Sequence, residues 1–160
     1  MNSPQKFFLK PMQIFISSEE VLVTTILGSC IAICLWDPVT KTGGINHYML
    51  PFWNGRGLAS PKYGNIAIEK LIEKMLERNC NISNIKAKVF GGGDILGTES
   101  KIFNIGVRNI ELAETLLKEK GIEIIAKSVG GKTGRKIQFC TKTGKVMQKL
   151  VGINNCESTK

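Results

Sequence analysis

The pattern that most limits the fold is two helix-like segments set among many short strand-like segments. Apolar residues at three- and four-residue spacing predict one helix over residues 68–79 and a second over residues 107–120. The remaining apolar runs are short and rich in β-branched residues, which is typical of strands. These runs cover residues 21–25, 31–36, 45–50, 86–90, 122–127, 136–141 and 145–151. Consecutive strands at both ends exclude a regular βαβ array, so we predict a single-domain layered α/β sandwich with a mixed β-sheet and two main helices.

The length of 160 residues fits one domain with one core, which we assign to residues 1–153. Residues 154–160 are polar, and we expect a flexible C-terminal tail. The longest apolar run, residues 31–36, is too short to cross a bilayer, and the N-terminus has no sustained apolar core of a signal peptide. We therefore expect a cytoplasmic protein without direct membrane insertion.

The formal charge of +9 favours an acidic partner. The basic residues are dispersed, however, and no run of five or more occurs, which favours a solvated lysine-rich surface. No aromatic RNA-recognition motif, KH loop or zinc finger accompanies the charge, so nucleic acid is not the expected partner.

Five cysteines occur without a CxxC pair, and the chain has a single histidine. This set disfavours a disulfide scaffold and a structural zinc site, and it fits a compartment in which thiols stay reduced. We interpret four of the five as small buried apolar residues. These are Cys34, Cys80, Cys140 and Cys156.

Cys30 stands apart because it follows a break in the strand pattern at Gly28 and Ser29. A cysteine at such a bend can be presented as a nucleophile, with backbone N–H groups of the bend free to face a developing oxyanion. We therefore assign Cys30 as the candidate nucleophile and Gly28 and Ser29 as its backbone support. The alternative is a buried cysteine without reactivity.

His47, the only histidine, is the only imidazole that could act as a base near neutral pH. If Asp37 and Thr40 close the turn between the flanking strands, paired residues have numbers that sum to 77, and Cys30 lies directly opposite His47. Directly opposed side chains in such a pair are roughly 5 Å apart. A slip of one residue would place the two on opposite faces.

Two glycine-rich segments do not support a phosphate or cofactor site. Residues 91–94 follow a strand but match neither a dinucleotide-binding motif nor a Walker loop. Residues 130–136 resemble an anion-binding nest, yet a loop between two strands needs glycines in any case.

The segment that holds both candidate residues resembles a known family. Residues 27–51, LGSCIAICLWDPVTKTGGINHYMLP, closely resemble the signature of the CheD family of chemoreceptor glutamine deamidases. Further matches are KYGNIAIEKLIEKM, KVFGGG, NIGVRNIE and VGGKTGRKIQFCTKTGKV, so that the resemblance covers nearly the whole chain. It implies a Cys-His-Thr triad, with Cys30 and His47 in the first two roles. Thr24, six residues before the cysteine, fits the third, and the adjacent Thr25 is an alternative.

The resemblance also implies an activity and partners. A CheD-like protein would convert receptor glutamines to glutamates through a thioester, would need no metal or organic cofactor, and is expected to hydrolyse receptor methyl esters. Its expected partners are the cytoplasmic helices of chemoreceptors and a CheC-type phosphatase of CheY. The alternative is a non-catalytic chemotaxis adaptor that binds the same two partners.

Overall fold

The computed structural model describes residues 3–95 and 104–152 and the backbone of residues 157–159. Within this part the chain forms ten strands and two helices. In chain order they are β1 (Gln5–Phe8), β2 (Ile14–Ser17), β3 (Val21–Leu27), β4 (Ile31–Asp37), β5 (Thr42–Asn46), α1 (Gly64–Glu77), β6 (Lys86–Gly91), α2 (Ile105–Glu119), β7 (Glu123–Val129), β8 (Gly134–Cys140), β9 (Val146–Val151) and β10 (Glu157–Thr159).

The strands form two five-stranded sheets rather than one. The first sheet has the order β1-β3-β8-β9-β10 and the second the order β2-β5-β4-β6-β7. Each sheet has one parallel pair, β1 with β3 and β6 with β7, and is otherwise antiparallel. The prediction of an α/β sandwich with mixed strand pairing and two helices is confirmed. The strands form two sheets instead of one.

The two sheets and the helices form three layers around two apolar cores. Ala32 and Cys34 of β4 lie between the sheets, whereas Ile31, Ile33 and Leu35 pack beneath the helices. Successive side chains of a strand point to opposite faces, so β4 is buried on both sides. Burial on both faces explains why this strand is a continuous apolar run rather than an alternating one.

Helix α1 begins four residues before the start at residue 68 that the apolar spacing predicts. It starts at Gly64, after Tyr63, and no side chain caps its first turn. A Cβ atom at Gly64 would collide with side-chain atoms of Leu112 and Tyr48. The close approach of α1 to α2 and to the strand region therefore places a glycine at the helix start, and sequence spacing alone does not reveal such a contact.

The hairpin between β4 and β5 is longer than predicted. Asp37 pairs with Thr42, and the residue numbers of paired residues sum to 79 instead of 77. Because the shift is two, and the side-chain period of a strand is also two, Cys30 and His47 remain on one face. They are diagonal neighbours rather than directly opposed, so the predicted direct pairing is wrong and the predicted common face is retained.

The side chain of Asp37 explains the longer turn. Its Oδ1 accepts hydrogen bonds from the backbone N–H groups of Val39 and Thr40, at 2.8 and 3.2 Å. Lys41 then closes the turn with a φ of 53°. An aspartate that bonds the backbone two residues ahead stabilises such a turn, and it leaves room for four residues between the strands.

No helix in the described ranges is long and apolar enough to cross a membrane. Of the segment predicted as a flexible tail, residues 157–159 form β10, which pairs with β9. Residues 154–156 and 160 lie outside the described residues.

Candidate active site

The bend before Cys30 is held in place by the glycine segment that follows β6. The N–H of Gly93 donates to the carbonyl oxygen of Gly28, and the N–H of Gly92 donates to that of Cys30, each at 2.9 Å. Gly91 has a φ of 111°, and a Cβ atom there would collide with the Cys30 carbonyl oxygen. The glycines of this segment therefore bring backbone against the bend, a role different from phosphate binding.

Asn109 of α2 joins the two segments that carry the candidate nucleophile and base. Its Nδ2 donates to the carbonyl oxygen of Ser29 at 2.9 Å and to that of Met49 at 3.0 Å. The hydroxyl of Tyr48 donates to the backbone carbonyl of Asn109 at 2.7 Å. Asn109 is fully buried. Sequence reasoning missed this residue because its partners are 60 and 80 positions away.

The carbonyl groups of Gly28, Ser29 and Cys30 are therefore all engaged, whereas two N–H groups of the bend are not. Within the described ranges, the N–H groups of Ser29 and Cys30 donate to no other residue. The Cys30 backbone N–H lowers the pKa of its own thiol, by less than burial raises it. This arrangement is compatible with the predicted backbone support of Gly28 and Ser29 for an oxyanion, which stays a prediction.

Arg135 of β8 connects the C-terminal ends of β6 and β7, next to the bend. Its guanidinium group donates to the carbonyl oxygens of Gly91 and Gly130, at 3.4 and 2.9 Å, and to the Ser128 hydroxyl at 3.1 Å. The N–H of Gly130 donates to Gly91 at 2.9 Å. Gly130 and Gly131 both have positive φ angles, which explains the glycines of this loop by backbone geometry.

His47 follows the last residue of β5 and is almost fully buried, with 2% of its surface exposed. The strand ends there because the preceding Asn46 uses its side-chain Oδ1 to accept the N–H of Ile33, at 3.0 Å, while its Nδ2 donates to Ala67. The pairing resumes at one bridge between Ile31 and Tyr48. The imidazole thus lies at the edge of the apolar layer between the two sheets.

The imidazole Nδ1 lies 2.7 Å from the hydroxyl oxygen of Thr25, which itself lies 2.8 Å from the carbonyl oxygen of Leu9. A carbonyl oxygen only accepts hydrogen bonds, so the single Thr25 hydroxyl proton is donated to Leu9. The hydroxyl oxygen then accepts a hydrogen bond from Nδ1–H. His47 is therefore held in the tautomer whose Nε2 carries a lone pair.

The assignment of the third triad position to Thr24 does not fit this geometry. Along β3 the residues Val21, Val23, Thr25 and Leu27 are buried, whereas Thr24 is half-exposed on the opposite face. The Thr24 hydroxyl lies 3.5 Å from Gln138 Nε2, and the Thr24 carbonyl accepts the N–H of Leu9. The two-residue period of a strand turns Thr24 away from the imidazole, and Thr25 occupies the place expected for it.

His47 Nε2 is buried and, within the described residues, makes no hydrogen bond. The thiol of Cys30 is therefore not hydrogen-bonded to it in this structure. Such bonds are often long before a substrate binds. A buried ring nitrogen without a protein partner is uncommon, and here it leaves the Nε2 lone pair available to accept a proton.

Burial governs the electrostatics of the pair. It lowers the pKa of His47 to about 4. It also raises the pKa of the Cys30 thiol, and the Cys30 backbone N–H opposes that effect only in part. Both changes favour the neutral forms. The resting state is thus a neutral thiol and a neutral imidazole, rather than a thiolate–imidazolium ion pair.

Cys30 is the most accessible of the described cysteines. It is half-buried, whereas the other three described cysteines are buried. These are Cys34, Cys80 and Cys140. Cys34 is 1% exposed and lies with Ala32 in the core between the sheets, as predicted for a small buried apolar residue. Cys156 lies outside the described residues.

A family model described as CheD chemotactic sensory transduction matches residues 49–150. The chain belongs to the CheD family. Relatives named "Probable chemoreceptor glutamine deamidase CheD" include a protein of Trichlorobacter lovleyi, 50% identical over 89% of each chain. A CheD protein of Sulfurimonas denitrificans is 43% identical over 92% of this chain and 95% of its own. Another, from a Caulobacter species, is 40% identical over 87% of this chain and 73% of its own.

Proposed function

We propose that this CheD-family protein deamidates glutamine side chains of chemoreceptors, with Cys30 as nucleophile, His47 as base and Thr25 as the residue that orients the imidazole. The names of the relatives support the substrate class. The observation that carries the mechanism is the hydrogen bond from His47 Nδ1 to Thr25 at 2.7 Å. It leaves a buried Nε2 lone pair on the strand face that also bears Cys30.

The first half of the reaction forms a thioester. As the glutamine carbonyl approaches, the Cys30 thiol gives its proton to His47 Nε2, and the sulfur bonds to the carbonyl carbon. The resulting oxyanion would be bound by the N–H groups of Cys30 and Ser29, which donate to no other described residue. The C–N bond then breaks, and the proton on Nε2 passes to the leaving nitrogen, which departs as ammonia.

The second half consumes water. Nε2, again neutral, accepts a proton from a water molecule that attacks the thioester carbonyl. Collapse of this intermediate releases glutamate, and the proton returns to the Cys30 sulfur. A neutral imidazole is required at the start of each half, and the lowered pKa of His47 keeps it neutral at pH 7.

The test is incubation of the protein with the cytoplasmic fragment of a chemoreceptor, followed by peptide mass spectrometry for Gln-to-Glu conversion. Cys30→Ala should abolish the conversion and leave the fold intact, because only the half-exposed sulfur is removed. Cys80→Ala is the matched control, because Cys80 lies away from the bend, near Thr40. Full conversion by Cys30→Ala would refute the mechanism, and no conversion by the unaltered protein would refute the proposed substrate.

The same site would accept a glutamyl methyl ester, which offers the same carbonyl and a better leaving group, so we also propose methylesterase activity. Methanol release from a methylated receptor fragment measures it. Binding of a CheC-type phosphatase and action in the cytoplasm, where thiols are kept reduced, stay predictions. A purely adaptor role would require an inert Cys30, which labelling with iodoacetamide checks.

A further inference from the structure

We propose that Asn109 is a positioning residue that fixes and polarises the Ser29–Cys30 peptide, so that the Cys30 N–H serves as the oxyanion donor. This inference rests on the proposed function, because it concerns the acyl-transfer step of the same site. Among the described residues, Asn109 makes no hydrogen bond to the sulfur or to the imidazole, and it acts through the backbone of the bend.

The orientation of the Asn109 amide follows from its neighbours. Both groups near its nitrogen are carbonyl oxygens, at 2.9 and 3.0 Å, and only an N–H₂ group can satisfy two acceptors at once. Its Oδ1 is buried without a partner among the described residues. The amide N–H₂ group therefore donates one hydrogen bond to the bend and one to the segment after His47. The amide oxygen accepts none from the described residues. A residue that only filled space there would not need this arrangement.

Peptide planarity transmits the bond to the reacting atoms. The Ser29 carbonyl and the Cys30 N–H belong to one trans peptide unit and point in opposite directions. Holding the Ser29 oxygen on α2 therefore aims the Cys30 N–H away from α2. That N–H belongs to the residue that carries the sulfur, and it donates to no other described residue. An oxyanion on the carbon bonded to this sulfur would form beside it.

The same bond also strengthens the donor. A peptide whose carbonyl accepts a hydrogen bond becomes a better donor at its N–H, by roughly 10–30% per bond. The flanking carbonyls of Gly28 and Cys30 are each held by a backbone N–H of the β6 segment. Only the middle peptide, the one that carries the Cys30 N–H, depends on a side chain for this contact.

Two reactions of Cys30 separate positioning from general loss of structure. Acylation by p-nitrophenyl acetate passes through an oxyanion, whereas alkylation by iodoacetamide does not. In Asn109→Leu we expect the rate of Cys30 acylation to fall by about 10- to 100-fold. This is no more than the rate effect of removing a direct oxyanion donor. The alkylation rate should stay within about twofold, since the thiol and its pKa are not directly altered.

Asn104→Ala is the matched control. Asn104 caps α2 by accepting the N–H of Val107 at 3.1 Å, so its removal weakens the same helix without touching the bend. We expect both Cys30 reactions to keep near-normal rates in this variant. Slow acylation in Asn104→Ala as well would mean that α2 stability, not the amide of Asn109, is responsible, and would overturn the proposal.

Asn109→Asp preserves the volume if Asn109→Leu does not fold. A carboxylate has no donor, but a protonated carboxyl group has one. Acylation relative to the unaltered protein should therefore recover as the pH falls from 8 to 5, because burial raises the pKa of a carboxyl group. A ratio that does not change with pH, or equal slowing of acylation and alkylation, would overturn the proposal. If the unaltered protein is acylated yet leaves receptor glutamines intact, the proposed substrate fails, and the acylation rates alone still decide the role of Asn109.

Discussion

Replacing Thr25 by valine removes the contact that selects the His47 tautomer and changes almost nothing else in shape. The side chain is fully buried, so the hydroxyl is exchanged for a methyl group within the packed layer. Two partners lose their hydrogen bonds, the Leu9 carbonyl at 2.8 Å and His47 Nδ1 at 2.7 Å. Among the described residues neither atom has another hydrogen-bond partner, and water has little access to the site.

The magnitude follows from those two losses. Each buried polar group left without a partner costs about 1–3 kcal/mol, so the unfolding free energy should fall by about 2–6 kcal/mol. The imidazole is then free to place its proton on Nε2, which removes the lone pair that faces the Cys30 side of the sheet. We expect kcat for deamidation to fall by about 10- to 100-fold, which corresponds to about 1.4–2.7 kcal/mol in the barrier.

Thr24→Val is the matched control, because it is the same substitution at the next position on the opposite face of β3. Its hydroxyl is half-exposed and has one weak contact, at 3.5 Å. We expect a change in unfolding free energy within about 0.5 kcal/mol and near-normal kcat. Urea unfolding and receptor deamidation kinetics measure both quantities. If Thr24→Val abolished activity while Thr25→Val retained it, the assignment of the orienting residue to Thr25 would be wrong.

Two further predictions concern protonation. Because the Cys30 pKa is raised, iodoacetamide labelling of Cys30 should accelerate by about tenfold per pH unit between pH 6 and 8, and a flat profile in that range would indicate a thiolate held by a cationic His47. Because the pKa of His47 falls from 6.5 to about 4 on folding, the unfolded chain binds the extra proton, and stability present above pH 6.5 is lost as the pH falls to about 4. At about 1.4 kcal/mol per unit of pKa difference, the loss of unfolding free energy attributable to His47 is about 3 kcal/mol. An equally steep pH dependence of urea unfolding in His47→Asn would contradict this prediction.

The apolar pattern predicted the elements well because each element is amphipathic or buried over its own length. Both helices and the runs that became β3, β4 and β6 to β9 lie near their expected positions. The pattern does not encode how strands are shared between sheets, because β3 and β4 are both apolar and adjacent in sequence. The division into two sheets depends on the bend at Gly28, whose hydrogen bonds come from residues more than 60 positions away.

The candidate site was predictable as far as local geometry determines it. The common face of Cys30 and His47 follows from the parity of their positions, and it holds although the turn is two residues longer than expected. The choice between Thr24 and Thr25 also has a local signal, since Val21 and Val23 mark the buried face of β3. Asn109 lies in the matching segment NIGVRNIE, but no local pattern indicates its role, because its contacts exist only once α2 packs against the bend.

The passage of the chain from one sheet to the other explains why a buried orienting residue and a half-exposed nucleophile lie so close in sequence. Thr25 belongs to β3 of the first sheet, and Cys30 stands at the entry to β4 of the second. The bend between them lies where the layer between the sheets ends, so the imidazole can touch Thr25 inside that layer while the sulfur stays accessible. The Thr25 hydroxyl depends in turn on the carbonyl of Leu9, beside β1. The tautomer of His47 is therefore determined by a segment near the N-terminus that contains no reacting group, and destabilising β1 should impair catalysis before it unfolds the core.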